Sequence, residues 1–264
     1  MGELTMSEKI LIPIFVEAES FEKMEVNGVE KALQDCYKAK AEPVYMPQLV
    51  DARIKAPKES SLWAQWYTTP SVRVTGKTKQ GSPVVVYTHV PNYFSKPNNI
   101  AKAVNEGLRN GAGKMPQREF YKLLDQEDKE NVFVVDYNKL RSASSGVIDV
   151  AQALGHPQTI PFLGGQARAE QYLQKHQHVY NTSKIGVWHC DDLTDEPRGR
   201  VLFLGGDRNY DLDANNDLIN GGRFLGVRRG ANGVSIAPKA QARENPDLGA
   251  VMKSVENALK PLYR

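Results

Sequence analysis

The chain has 264 residues, a formal net charge of +3, 41% hydrophobic and 25% charged residues. This is an ordinary globular composition, which excludes general disorder and allows one large domain or two small ones. Two cysteines, Cys36 and Cys190, are too few for a disulfide framework and are not spaced as a zinc knuckle.

No run approaches the roughly 18 apolar residues of a membrane span. The N-terminus lacks the basic and apolar regions of a signal peptide. The expectation is therefore no membrane insertion, and a cytoplasmic location or a virion or cell-surface one reached by another route.

Taken in order, Lys9–Val16 reads as a buried strand and Ser20–Ala39 as an amphipathic helix, with Cys36 a core thiol on its apolar face. Ser71–Thr78 and Pro83–Val90 flank Lys79-Gln80-Gly81-Ser82 as a hairpin, whose second strand is apolar on both faces and so belongs inside a sheet. Pro97–Leu108 and Pro116–Gln126 read as helices, each opened by proline. Asn131–Tyr137 is a predicted strand, Ile148–Leu154 a short helix and Thr159–Leu163 an extended segment.

Gln166–Tyr180 is the clearest helix, with Ala169, Tyr172, Leu173, His176 and Tyr180 on one face. Lys184–Cys190, Arg200–Leu204 and Arg223–Arg228 read as strands, and Asp247–Lys260 as a final helix. The economical summary is one compact α+β unit over residues 1–264, without internal repeat.

Charge is unevenly spread. Residues 1–51 carry five Lys/Arg against ten Asp/Glu, whereas 52–105 carry eight against Glu59 alone. Ordinary surface variation accounts for this, as does a polyanion-facing patch around Arg73, Lys77 and Lys79 with Trp63, Trp66 and Tyr67 nearby.

Catalytic motifs fail on inspection. Gly111-Ala-Gly-Lys114 lacks the first glycine of a phosphate-binding loop (Leu108 stands there) and its hydroxyl residue (Met115 stands there). Ser144-Ser145-Gly146 lacks the glycine and the setting of a nucleophile elbow. His176 and His178, two apart on a helix, face different ways and cannot share a metal there. His189-Cys190-Asp191-Asp192 needs two more ligands from elsewhere. Asp211, Asp213 and Asp217 resemble half of a calcium loop, but Asn216 and Gly222 replace its turn glycine and bidentate acid. A loose calcium site at those three acids is the only cofactor to consider.

The most informative stretch is Val201–Pro238, which contains no Lys, Glu, Gln, Met or Trp but holds five Asn, four Asp and seven Gly. These five types are the ones absent when Asn codons are randomised at both adenines, because the products are then confined to NNY codons. A polar turn cluster of unusual composition explains the same observation.

The segment RNYDLDANNDLINGGRFLGVRRG (Arg208–Gly230) resembles the variable region of proteins diversified by diversity-generating retroelements. Gly222-Arg223-Phe224-Leu225-Gly226-Val227-Arg228 is similar to the constant tail that follows the variable positions. Ile160–Gly165 and Ile185–Asp192 look like an archaeal variable protein of this class. The resemblance is specific over about residues 158–230. Residues 229–264 depart from it, since many members end soon after the tail.

The resemblance implies a C-type-lectin-like fold over about 96–264, with an elaborated N-terminal part over about 1–95 and the variable region at about 201–230. It implies a non-enzymatic protein that binds a variable protein or cell-surface ligand. The exposed contacts would be Arg208, Asn209, Tyr210, Asp211, Asp213, Ala214, Asn215, Asn216, Asp217 and Asn220, pinned by buried Leu212 and Leu218. Tyr210 is the expected hot spot, because aromatic side chains give contact area at low entropy cost. The rival reading is a nucleic-acid-binding protein using the basic regions 52–105 and 218–243. Oligomeric state stays open.

Overall fold

In the computed structural model the described residues are 9–12, 15–127, 131–206 and 212–228. The chain enters on β1 (Lys9–Ile12) and β2 (Phe15–Lys23), then turns through Asn27 in the left-handed conformation (φ 63°) into α1 (Gly28–Lys38). Helix α1 buries Val29, Ala32, Leu33 and Cys36, the i, i+3, i+4, i+7 stripe of a helix laid on a sheet. Next come β3 (Ala41–Pro43), α2 (Met46–Lys55), α3 (Ser61–Ala64) and the long strand β4 (Tyr67–Lys77). The hairpin closes with β5 (Pro83–Thr88).

A 3-10 turn at Tyr93–Ser95 leads to α4 (Pro97–Asn105), β6 (Gly113–Lys114), α5 (Gln117–Leu124) and β7 (Val132–Asp136). Then follow α6 (Tyr137–Arg141), β8 (Gly146–Asp149), α7 (Val150–Ala153), α8 (Thr159–Leu163) and α9 (Gln166–Tyr180). Strands β9 (Lys184–Trp188), β10 (Arg198–Leu204), β11 (Leu212–Asp213) and β12 (Gly222–Arg228) complete the described part.

These strands form one mixed sheet in the order β1-β2-β12-β4-β10-β11-β9-β8, with β5 and β7 continuing from β4. Strand β4 is buried over nearly its whole length, as a strand flanked by β5, β10 and β12 must be. Strand β5 lies between β4 and β7, an inner strand as its two apolar faces require. The main core packs α1, α4 and α5 against β4 and β10 through Leu33, Val72, Val74, Phe94, Phe120, Val201 and Phe224.

Every described residue lies in one compact unit, Met1–Gly230. Residue 95 marks no seam, because β4 pairs with β10 from Arg198↔Thr75 to Leu204↔Tyr67.

Three expectations from sequence are corrected. The helix expected from Ser20 begins only at Gly28, and Ser20–Lys23 belongs to β2, paired with β12 at Phe21↔Phe224. The helical spacing of Phe21 and Met24 was a coincidence that strand pairing overrides. Thr159–Leu163 is helical, closed by Gly164 in the left-handed conformation (φ 81°). Ile148 and Asp149 end strand β8, and only Val150–Ala153 is helix. The expected helix Asp247–Lys260 lies outside the described residues.

Candidate functional site

Strands β10 and β12 both flank β4, so the segment joining them leaves and re-enters the middle of the sheet. Its path is set by backbone groups. Leu212 O accepts from the buried amide of Gln158 (2.9 Å), which also donates to Trp188 O (3.1 Å). Ala214 N donates to Trp188 O at 2.9 Å, extending the parallel pairing of β11 with β9. Leu218 N donates to Gly111 O at 3.1 Å. At the exit, Ile219 O and Asn220 O accept from Asn27 N and Val29 N, at 2.7 and 3.0 Å.

Beneath the segment lies a buried charge cluster. Arg200 grips Asp192 with two bonds (Nε–Oδ2 2.8 Å, Nη2–Oδ1 2.9 Å), and Arg73 reaches the same carboxylate at 3.0 Å. Arg73 and Arg200 are each 1% exposed and Asp192 is 4% exposed. The remaining donors point up into the loop. Arg200 Nη1 donates to Asn215 O (2.7 Å), Asn216 O (3.1 Å) and Asp217 Oδ1 (3.1 Å), and Nη2 donates to Asn110 O. Arg73 donates to Ala214 O at 3.4 Å and Cys190 O at 2.5 Å.

Burial alone would lower the Arg200 pKa. The hydrogen bonds and charge of Asp192 outweigh it, and the net direction is up. A guanidinium suits this task because its five donors lie in a fixed fork and its charge is permanent.

The seat on the other side is the run 110–113. Gly111 has φ +80°, and a Cβ there would come within 1.6 Å of Asp217 Oδ1. Gly113 stands against Leu218, where a Cβ would come within 2.6 Å of Cδ1. The glycines rejected above as a phosphate loop are thus the floor under the candidate variable segment, and Lys114 pairs with Glu196 at 2.5 Å.

Leu212 and Leu218 are each 0% exposed, the pins expected of them, and Phe224 is buried as fully. Asn220 is exposed, and Asp213, Asn215 and Asn216 are half-buried. Ala214 departs from expectation. It is fully buried just past the end of β11, where its backbone bridges Trp188 and Arg73. Asp217 is also committed, its carboxylate held by Arg200. Arg208, Asn209, Tyr210 and Asp211 lie outside the described residues. Burial pushes the Asp213 carboxyl up to about 6, against the pull of hydrogen bonds from Asn215 and Asn216.

The basic region 52–105 is less available than its composition suggests. Arg53 and Arg73 are buried, as are Trp63 and Tyr67. Lys77 pairs with Asp195 and Lys79 with Asp125. Arg223 and Arg228, from the second basic run, pair with Glu22 and Glu19.

His176 is fully buried on α9, and Cys36 is a core thiol whose pKa burial pushes up to about 12. Among the described residues no three His, Cys, Asp or Glu side chains group as a metal site, and no helix is long and apolar enough to cross a membrane.

Sequence reasoning missed Gln158 and Arg200, and placed Arg73 in a polyanion-facing patch and Asp192 in an incomplete metal-ligand run. A usable signal for two of them was present: an arginine flanked by apolar residues inside a strand, as in Val72-Arg73-Val74 and Arg200-Val201-Leu202.

A solved structure, described as the accommodation of massive sequence variation in Nanoarchaeota by the C-type lectin fold, is similar to this chain. It shares 52% identity and a TM-score of 0.75, over 83% of this chain and 100% of the other. No family model and no curated protein matches the chain.

Proposed function

The chain belongs to the family of C-type-lectin-fold variable proteins that the nanoarchaeal structure represents, and on that premise we propose that it is a non-enzymatic binding protein. Its recognition surface is the segment 207–220, and its ligand a protein or cell-surface structure. The segment is rewritten by adenine-directed mutagenesis from a retroelement.

One observation carries this reading. Over its described residues, 212–220, the segment is held by its main chain, through carbonyls gripped by Arg73, Arg200 and Gln158 and amides bound to Trp188 and Gly111. Main-chain groups are the same whatever side chain is attached, so a scaffold of this kind tolerates substitution. The contacts that carry recognition are then Asp213, Asn215, Asn216 and Asn220, together with Arg208–Asp211. Ala214 and Asp217 serve the seat. The polyanion alternative has less support, because Arg53 and Arg73 are buried and Lys77, Lys79, Arg223 and Arg228 are paired.

The test is a library varying Arg208–Asp211, Asp213, Asn215, Asn216 and Asn220 within the fifteen NNY residues. Most members should melt cooperatively near the parent and differ in partner; loss of the fold in most of them would sink the reading. The retroelement is tested by the coding DNA. A near-copy of the segment differing only at adenines should adjoin a reverse-transcriptase gene.

A further inference from the structure

Beside the loop lies a groove of about 440 Å³, lined by Met24, Trp66, Phe203, Asp213, Asn216 and Asn220 among others. Its two walls differ in origin. Trp66 and Phe203 stand 6.0 Å apart at a tilt of 30° and belong to the sheet and its approach, while Asp213, Asn216 and Asn220 belong to the loop.

Met24 is 65% exposed and Val26, two residues on, is 69% exposed, on the turn whose Asn27 N holds Ile219 O. Large apolar side chains left in water beside a polar loop are a feature of surfaces that meet a partner. Methionine adapts its shape to varied contacts.

The polar end of the groove fixes the chemistry of the occupant. Among the described residues no ion pair neutralises Asp213. The nearby guanidiniums are spent elsewhere, Arg200 on Asp192 and Asp217, Arg73 on Asp192, and Arg223 on Glu22. An acidic occupant would meet this carboxylate with repulsion. A purely apolar one would bury it without compensation. A side chain with an aliphatic stem and a cationic tip satisfies both ends, since such residues lay their methylenes on apolar surface and carry charge at the tip.

We propose that this groove receives a lysine or arginine side chain of a protein ligand, its stem against Met24, Trp66 and Phe203 and its cation at the Asp213 carboxylate. The inference rests on segment 207–220 being the binding surface. Because the carboxylate comes from a position of the variable segment, and the apolar wall from the scaffold, the scaffold supplies affinity for any long side chain and the loop selects its tip. That the Asp213 carboxyl is held above its ordinary range agrees with a cation being the missing partner.

The experiment pans a random peptide library displayed on phage against the full chain. It then measures selected peptides on the parent, on Asp213→Asn and on Asn216→Tyr, with melting curves for each. The expected result is enrichment of peptides containing Lys or Arg. Their binding should weaken about tenfold or more on Asp213→Asn, and on replacing the basic residue by norleucine, while the variant melts no lower than the parent.

Peptides that lack Lys and Arg, or that ignore Asp213→Asn yet respond to Asn216→Tyr, overturn the groove assignment and leave the binding surface standing. Peptides indifferent to both substitutions overturn the binding surface as well. Absence of any enriched peptide counts against both.

Discussion

The buried floor of the loop and its outer rim are separated by a few ångströms and follow opposite rules. On the floor the charged groups are matched, although Arg73 Nε has no hydrogen-bond partner: Asp192 takes two arginines, and those arginines take Ala214, Asn215 and Asn216 by their carbonyls. On the rim, the side chains of Asn216 and Asn220 bond within their own segment, and Asn215 reaches Asp213 Oδ1 through its backbone N. On the proposed function, stability and recognition fall to different atoms of the same residues. The main chain serves the first and the side chains serve the second.

The largest expected effect breaks the floor. Asp192→Ala leaves two buried guanidiniums without their carboxylate and should destabilise the fold by about 3–5 kcal/mol, read from denaturant unfolding. A loss under about 1 kcal/mol would mean that the cluster does not organise the loop.

Acid should act next, and in two directions. Burial holds His89 at about 4, against an ordinary 6.5. His189 is also held at about 4, by burial and the charges of Arg73 and His156. The unfolded chain then takes up these protons first, so stability falls as pH drops from about 6.5 to 4. The scale is up to about 3 kcal/mol for His89 and less for half-buried His189.

Asp213, raised to about 6, has the opposite sign: the folded state takes its proton first, and stability rises as pH drops from about 6 to 3.8. Asp213→Asn should remove that contribution, adding about 1–2 kcal/mol at pH 7 and steepening the acid loss. Melting curves between pH 4 and 7 check both.

Gly111→Ala sets a Cβ against Asp217 at a positive φ and should cost about 1–3 kcal/mol. Pairing it with Asp217→Gly should recover part of this, the clash with the Asp217 side chain but not the backbone strain. The smallest effect is the most telling for function. Substituting Asn215, Asn216 and Asn220 by Ser, Tyr or Ala should move stability by no more than about 0.5 kcal/mol each, measured by thermal melts.

The α+β class and the central elements were legible because their patterns are local. Gln166–Tyr180 shows its apolar face in the spacing of Ala169, Tyr172, Leu173 and His176, and β5 shows burial on both faces in Val84–Tyr87. Leu212 and Leu218 were legible as pins because they are the large aliphatics in a polar run. Strand β2 was not, because Phe21 and Met24 mimic helical spacing and only pairing with β12, two hundred residues on, decides the matter. The charge cluster was hidden for the same reason. Arg73, Asp192 and Arg200 come from three places in the chain, and nothing local to any of them shows that they meet. Ala214 was misread because its backbone bonds to Trp188 and Arg73, which seat it in the interior beside β11, join distant parts of the chain.

The grip of Arg200 on two successive carbonyls has a consequence for how this surface can change over time. Asn215 O and Asn216 O, then Leu218 N on Gly111, form a ruler whose marks are spaced by the chain itself. Replacing a side chain leaves the marks in place. Inserting or removing one residue between Leu212 and Leu218 shifts all of them and pulls a pin from its socket. On the proposed function, the segment is free in spelling at its outward positions and fixed in length, so a repertoire built on it would grow by exchange of letters alone.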